Sequence, residues 1–331
     1  MFASMLFGLA LTSFPVSPRR APSRQPHYLH EFGLPLGAYP GEIIAGPDGA
    51  LWFDTYPYFT NHNPIDLGIG RITTDGKEKF FLNNDGTYDL TLGHDGKIWF
   101  TDPYKYVRSV EQPLVGWVTT NGKLVEFAGP PNGSPESIAT GPDGDIWYVD
   151  FGARHDVIRM NAQGHIVARY HTPGRHAVKL GVGTNGVMWY DALGRRSAVG
   201  TITASGIVKH LLGGPAYIPG PLVLGPDGRM WVSDCTYVAA VTSGFESTLY
   251  PLPSQQSCMY GITAGPDGYL WATDFGTSSL VRIATNGKMV EYPTPTSNMM
   301  PTGITVGPDG NIWFTEIQRN TDVSKIGVLA P

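Results

Sequence analysis

Gly307-Pro-Asp-Gly-Asn-Ile-Trp313 is a tight turn running into a tryptophan, and the chain contains this unit seven times. The earlier copies are Gly46-Pro-Asp-Gly-Ala-Leu-Trp52, Gly93-His-Asp-Gly-Lys-Ile-Trp99, Gly141-Pro-Asp-Gly-Asp-Ile-Trp147, Gly183-Thr-Asn-Gly-Val-Met-Trp189, Gly225-Pro-Asp-Gly-Arg-Met-Trp231 and Gly265-Pro-Asp-Gly-Tyr-Leu-Trp271. Seven of the eight tryptophans sit in this frame, 40 to 48 residues apart. That period is the size of one four-stranded propeller blade. Within each unit an apolar run such as Gly261-Ile-Thr-Ala-Gly265 leads into Pro-Asp-Gly, whose last glycine accepts φ > 0. The chain returns as Leu270-Trp-Ala-Thr-Asp274, continues as Leu280-Val-Arg-Ile283, and turns at Asn286-Gly287 into Met289-Val-Glu-Tyr292. No segment of helical period and length interrupts the units. The pattern predicts an all-β, seven-bladed propeller of four-stranded blades.

Composition points the same way. Among 331 residues there are 42 Gly and 28 Pro, 38 aromatics, and only 15% charged residues. Abundant turn formers with many aromatics suit short strands, and so few charges argue against a coiled coil or a charge-driven disordered chain. A net charge of −5 offers no general attraction to phosphate backbones or anionic lipid, so nucleic acid is excluded as an expected partner. Two cysteines without CxxC or Cys/His finger spacing exclude a structural zinc module.

The two ends explain each other. The seventh unit reaches Lys325-Ile-Gly-Val-Leu329 and lacks an outer strand, while Tyr28-Leu-His-Glu-Phe32 matches the outer-strand pattern of Val125-Glu-Phe127 and Val290-Glu-Tyr292. The N-terminal segment is therefore expected to close the last blade, leaving residues 27–331 as one domain. Residues 1–26 read as a leader, either a signal peptide or a disordered tail. Their apolar run, Met5 to Leu11, is far shorter than the ~20 residues a membrane span needs. A signal peptide would make the protein extracytoplasmic (periplasmic or secreted), and otherwise it is cytoplasmic. Cys235 follows the second strand of blade five and Cys258 precedes the first strand of blade six, on one face. They are either a disulfide or two separate thiols.

Gly303-Ile-Thr-Val-Gly-Pro-Asp-Gly-Asn-Ile-Trp-Phe-Thr-Glu316, together with Ile69-Gly-Arg-Ile-Thr-Thr-Asp-Gly-Lys77, closely resembles the virginiamycin B lyase (streptogramin lyase) family, and the resemblance runs through all seven repeats. It implies a seven-bladed propeller that opens a cyclic depsipeptide antibiotic by elimination at its ester, using magnesium and a histidine base. The same resemblance places the functional positions just before the first strand, and just after the second, of the final blades. Tyr260 stands where the family has a substrate-contacting histidine, and Met300-Pro-Thr302 where it has Glu-Pro-His. Glu316 keeps the second magnesium carboxylate. A threonine hydroxyl does not abstract a carbon-bound proton as an imidazole does, so the family's elimination is expected to be lost at these positions.

Other candidates come from the residues alone. An acidic residue follows the Trp by three positions in five repeats: Asp102, Asp150, Asp234, Asp274 and Glu316. Blades one and four carry Asp54 and Asp191 one position earlier. Such a ring either holds a hard cation, with Glu316 and Asp274 as ligands for Mg²⁺, or caps its own loops through backbone N–H groups. Blades three and four concentrate charge, with Glu136 at the family-histidine position, then Asp150, Arg154, His155, Asp156, Arg175, His176, Lys179, Asp191, Arg195 and Arg196. A histidine among carboxylates and cations suits a base or ligand, and a solvated salt-bridged surface is the other reading. Tyr56, Tyr58, Phe59, Tyr88, Tyr104, Tyr106, Tyr217, Tyr237 and Tyr260 line the same loops, either stacking on a ligand or packing the loops. His27, His30, His165 and His210 read as structural. The expected substrate-binding set is Tyr260, Thr302, Tyr88, Glu136 and His176. Two functions stay open: a streptogramin lyase-like enzyme with a divalent cation, or a non-catalytic extracytoplasmic propeller binding a small molecule or protein. A metal-dependent lactonase is a third reading by fold analogy. A monomer without a membrane span is expected.

Overall fold

Each Pro-Asp-Gly turn is built around its tryptophan. In blade one the Trp52 indole N–H donates to Asp48 Oδ1 at 3.1 Å, so the turn aspartate satisfies a buried donor as well as shaping the turn. The same bond recurs at Trp99, Trp147, Trp231, Trp271 and Trp313. The first glycine is required because a Cβ on Gly46 would lie 2.3 Å from the indole, and Gly49 adopts φ +72°. Glycine in the third strand has a steric cause too: a Cβ on Gly70 would meet the Phe53 ring at 2.1 Å. Gly116, Gly200 and Gly327 face Phe100, Tyr190 and Phe314 in the same way.

In this computed structural model the described residues are 26–55, 68–81, 87–103, 106–107, 110–111, 113–152, 155–172, 176–193, 198–203, 205–206, 208–212, 220–318 and 321–331. They form seven four-stranded antiparallel blades, each strand hydrogen-bonded to the next. The innermost strands are Pro40–Ala45, Asp89–Leu92, Pro135–Thr140, His176–Val182, Leu222–Leu224, Met259–Ala264 and Met299–Val306. Each touches the next, and the seventh touches the first, so the blades close into a ring. His27–Gly33 pairs with Ser324–Ala330 as the outer strand of blade seven, as the ends of the sequence predict. Among the described residues the one helical element is a 3₁₀ turn, Thr184–Gly186, where blade four has Thr-Asn-Gly in place of Pro-Asp-Gly. No helix among them is long and apolar enough to cross a membrane. A two-residue ladder, Tyr106–Val107 with Val110–Glu111, adds to the blade-two loop.

The core lies between blades. Trp147 and Val149 of blade three, for example, pack with Leu180 and Tyr190 of blade four. Five of the repeat tryptophans also stack on an aromatic ring near the rim, among them Trp52 on Phe81 at 5.0 Å, Trp147 on Tyr170 at 5.1 Å, and Trp313 on Phe32 of the closing strand at 5.8 Å. The outer strand of blade four, Val208–Leu212, has no aromatic residue, and Phe245 of blade five comes to Trp189 instead at 5.5 Å. Hydroxyls then stitch neighbours together at the inner rim. Thr101 Oγ1 donates to Glu136 O at 2.6 Å, and Thr315 Oγ1 to Gly41 O at 2.5 Å. Cys235 and Cys258 form a disulfide joining the exit of blade five to the start of blade six, with Cα atoms 3.8 Å apart. Residues 1–25 of the leader, Tyr56, Tyr58, Phe59, Tyr104, Arg154, Arg175, Arg195, Arg196 and Tyr217 lie outside the described residues.

Candidate functional site

Ten residues before the repeat tryptophan, on the innermost strand or, in blade five, just before it, stand Glu42, Asp89, Ser137, Lys179, Pro221, Gly261 and Gly303 in blades one to seven. Their equivalent places on a ring bring the three charged ones together at the central channel. Lys179 Nζ reaches from blade four to Glu42 Oε1 of blade one at 2.8 Å and to Asp89 Oδ2 of blade two at 3.7 Å. Burial lowers the basicity of Lys179, but these two carboxylates outweigh it and raise its pKa well above the ordinary value. Asp89 also accepts the Leu90 and Ile138 N–H groups, tying blade two to blade three. Burial nevertheless pushes it up to about 6.

Four further groups face this pair. Asp54 is fully buried. One of its oxygens accepts the Gly41 N–H at 3.1 Å, while the other has no partner. Burial, then Glu42 and Asp89, raise its pKa strongly against the pull of Lys179. Tyr260, 37% exposed, is pushed up to about 12 by burial of its hydroxyl and by Glu42, Asp54 and Asp89. Burial likewise raises Tyr88. Glu136 rises to about 7 through burial, with Asp150 adding and Lys179 opposing. The predicted Tyr88, Glu136 and Tyr260 therefore share one electrostatic neighbourhood centred on Lys179. Glu42 and Asp89, not singled out from the sequence, complete it. Their signal was the shared position ten residues before each tryptophan.

The remaining candidates are placed elsewhere. The His176 ring packs on His155 at 3.6 Å and on Phe151 at 5.9 Å, and the Nδ1 atoms of both histidines are buried without partners. Thr302 is buried in the seam between blades seven and one, its hydroxyl 2.8 Å from that of Thr315 and 3.3 Å from Pro40 O. Asp274 Oδ1 accepts the N–H groups of Cys258, Gly276 and Thr277, capping its own loop. Asp150 and Asp234 do the same in blades three and five. Glu316 is fully buried, with the Glu31 carboxyl group against it. Burial and the neighbouring Glu31 push it up to about 8.

Of the family's magnesium positions only Glu316 offers a carboxylate: Met300 brings no side-chain oxygen, the Thr302 hydroxyl is committed to the seam, and Lys325 is the residue paired opposite Glu316. Among the described residues no group of three or more His, Cys, Asp or Glu is arranged to hold a metal ion.

The profile of the virginiamycin B lyase family matches residues 80–329. The chain belongs to the virginiamycin B lyase family. Virginiamycin B lyase from Staphylococcus aureus, solved as a catalytically inactive histidine-to-alanine variant with quinupristin, is 26% identical. It aligns over 93% of this chain and all of its own, with a TM-score of 0.79. A streptogramin B lyase structure is 25% identical over 92% of this chain and 97% of its own, at TM-score 0.77. The extracellular domain of a putative hybrid two-component system from B. thetaiotaomicron shares the fold at 12% identity, covering 87% of this chain and 40% of that one, TM-score 0.66. No curated protein matches the chain.

Proposed function

We propose that this member of the virginiamycin B lyase family binds a small molecule at the mouth of its central channel, around Lys179, and does not perform the family's elimination through blades six and seven. The observation that carries the reading is the Lys179–Glu42 pair, which concentrates charge, hydrogen-bonding groups and two tyrosines where a propeller's loops converge. Elimination requires a base within hydrogen-bond reach of the acidic proton. Thr302 is engaged in the blade seam, and Tyr260, at about 12, keeps its proton at neutral pH. The S. aureus relative supports a separation of binding from catalysis, since its inactive histidine variant was solved with quinupristin. An extracytoplasmic location is part of the proposal and is supported by the Cys235–Cys258 disulfide.

The test is to incubate the purified protein with quinupristin, with and without magnesium. Linearisation by elimination leaves the mass unchanged, so the product is followed by chromatographic retention and fragmentation. No opening above the protein-free control is expected. Magnesium-dependent opening that is abolished by Glu316→Gln would overturn the catalytic half of the proposal.

A further inference from the structure

We infer that the channel mouth recognises an organic cation, a ligand bearing a primary ammonium or guanidinium group. This rests on the channel-binding reading above and assigns it a ligand class. Among the described residues Glu42, Asp54, Asp89 and Glu136 converge at the mouth, and Lys179 is the one cation of those residues that faces them. Its ammonium is committed to Glu42 at 2.8 Å and stands 3.7 Å from Asp89. Asp54 is left with one wholly buried oxygen that no donor satisfies. A buried polar atom without a partner is costly, and a ligand that hydrogen-bonds to it removes that cost.

The chemistry of the walls selects among ligands. Tyr88 and Tyr260 bring phenol groups into the same electrostatic neighbourhood, and a tyrosine ring favours a cation over its face. An anionic ligand would have to displace Glu42 from Lys179 and then face three further carboxyl groups. A neutral polyol would leave the excess of acceptors unbalanced. With no group of three metal-ligating residues among the described residues, the donor set suits ammonium or guanidinium hydrogens better than a metal ion. Burial raises Asp54 strongly and Glu136 to about 7, while Asp89 stays at about 6, so a cation binding there must displace protons from the first two.

The experiment is calorimetric titration of the folded protein near pH 7 with agmatine, glucose and gluconate, in two buffers of different ionisation enthalpy. Agmatine is expected to bind with net proton release. Lys179→Met, which removes the resident competitor, is expected to tighten agmatine about tenfold or more, and Asp54→Asn to weaken it. Circular dichroism establishes that each variant is folded, and Asp54→Asn carries the test if Lys179→Met is not. Binding of glucose or gluconate without agmatine would overturn the cation assignment and leave the channel-binding reading in place. Binding of none of the three overturns both. Loss of agmatine binding in a folded Lys179→Met protein also overturns the assignment.

Discussion

Glu316 has a structural consequence that can be measured without any ligand. Its carboxyl group is fully buried, and the Glu31 carboxyl lies beside it in hydrogen-bonding reach. Burial works against ionisation of Glu31 as well, but hydrogen bonds from Lys325 and Thr296 hold that group below its ordinary pKa. Glu31 keeps the charge and Glu316 keeps the proton. The pKa of Glu316 rises from an ordinary 4.5 to about 8, so the folded state binds the proton more tightly than the unfolded chain. Stability from this group is complete below the unfolded value and is lost as pH rises through that window. At about 1.36 kcal/mol per pKa unit, the full loss is roughly 5 kcal/mol. Glu316→Gln keeps the shape and a donor but cannot ionise. It should leave unfolding free energy nearly unchanged at about pH 5 and raise it by several kcal/mol at about pH 9, as read from urea titrations of both proteins. A difference that is equal at the two pH values, or a variant less stable at the higher one, would refute the reasoning.

Phe32→Ala removes the ring that stacks on Trp313 and should cost roughly 3 kcal/mol in the same assay. Val290→Ala, at an exposed outer-strand position, should stay within about 0.5 kcal/mol. Cys235→Ser opens a link between residues 23 apart in sequence, for which chain-entropy reasoning gives a loss of about 3 kcal/mol. Reductant should lower the melting temperature of the parent protein and leave that of the variant unmoved.

The blades were legible because one side chain organises each of them. Trp, the turn before it and, in four blades, the third-strand glycine that makes room for Phe53 or its counterparts are all local, so their spacing in the sequence is their spacing in the fold. Closure by Tyr28 to Phe32 could be read because an outer-strand pattern was missing at one end and present at the other. The site was harder. Lys179 and Glu42 are 137 residues apart and meet only because a seven-membered ring sets the width of its channel. Aligning the repeats shows that both stand ten residues before a tryptophan, but the alignment does not contain the reach of a lysine across that gap. Thr302 illustrates the converse. Its place in the motif is plain, while its hydroxyl's bond to Thr315 depends on how blade seven abuts blade one.

The closing strand also dictates an order of events during synthesis. His27 pairs with Ala330 and Gly33 with Lys325, contacts that join nearly the whole length of the chain. Such non-local pairing folds slowly, and here it cannot begin until almost everything has been made. At roughly 5–20 residues per second, the first strand waits about 15–60 s for its partner. Throughout that interval it is a bare edge, open to pairing with any other strand it meets. Glu31 lies in the middle of it, and a charge on a waiting edge discourages wrong partners until Lys325 arrives as the right one.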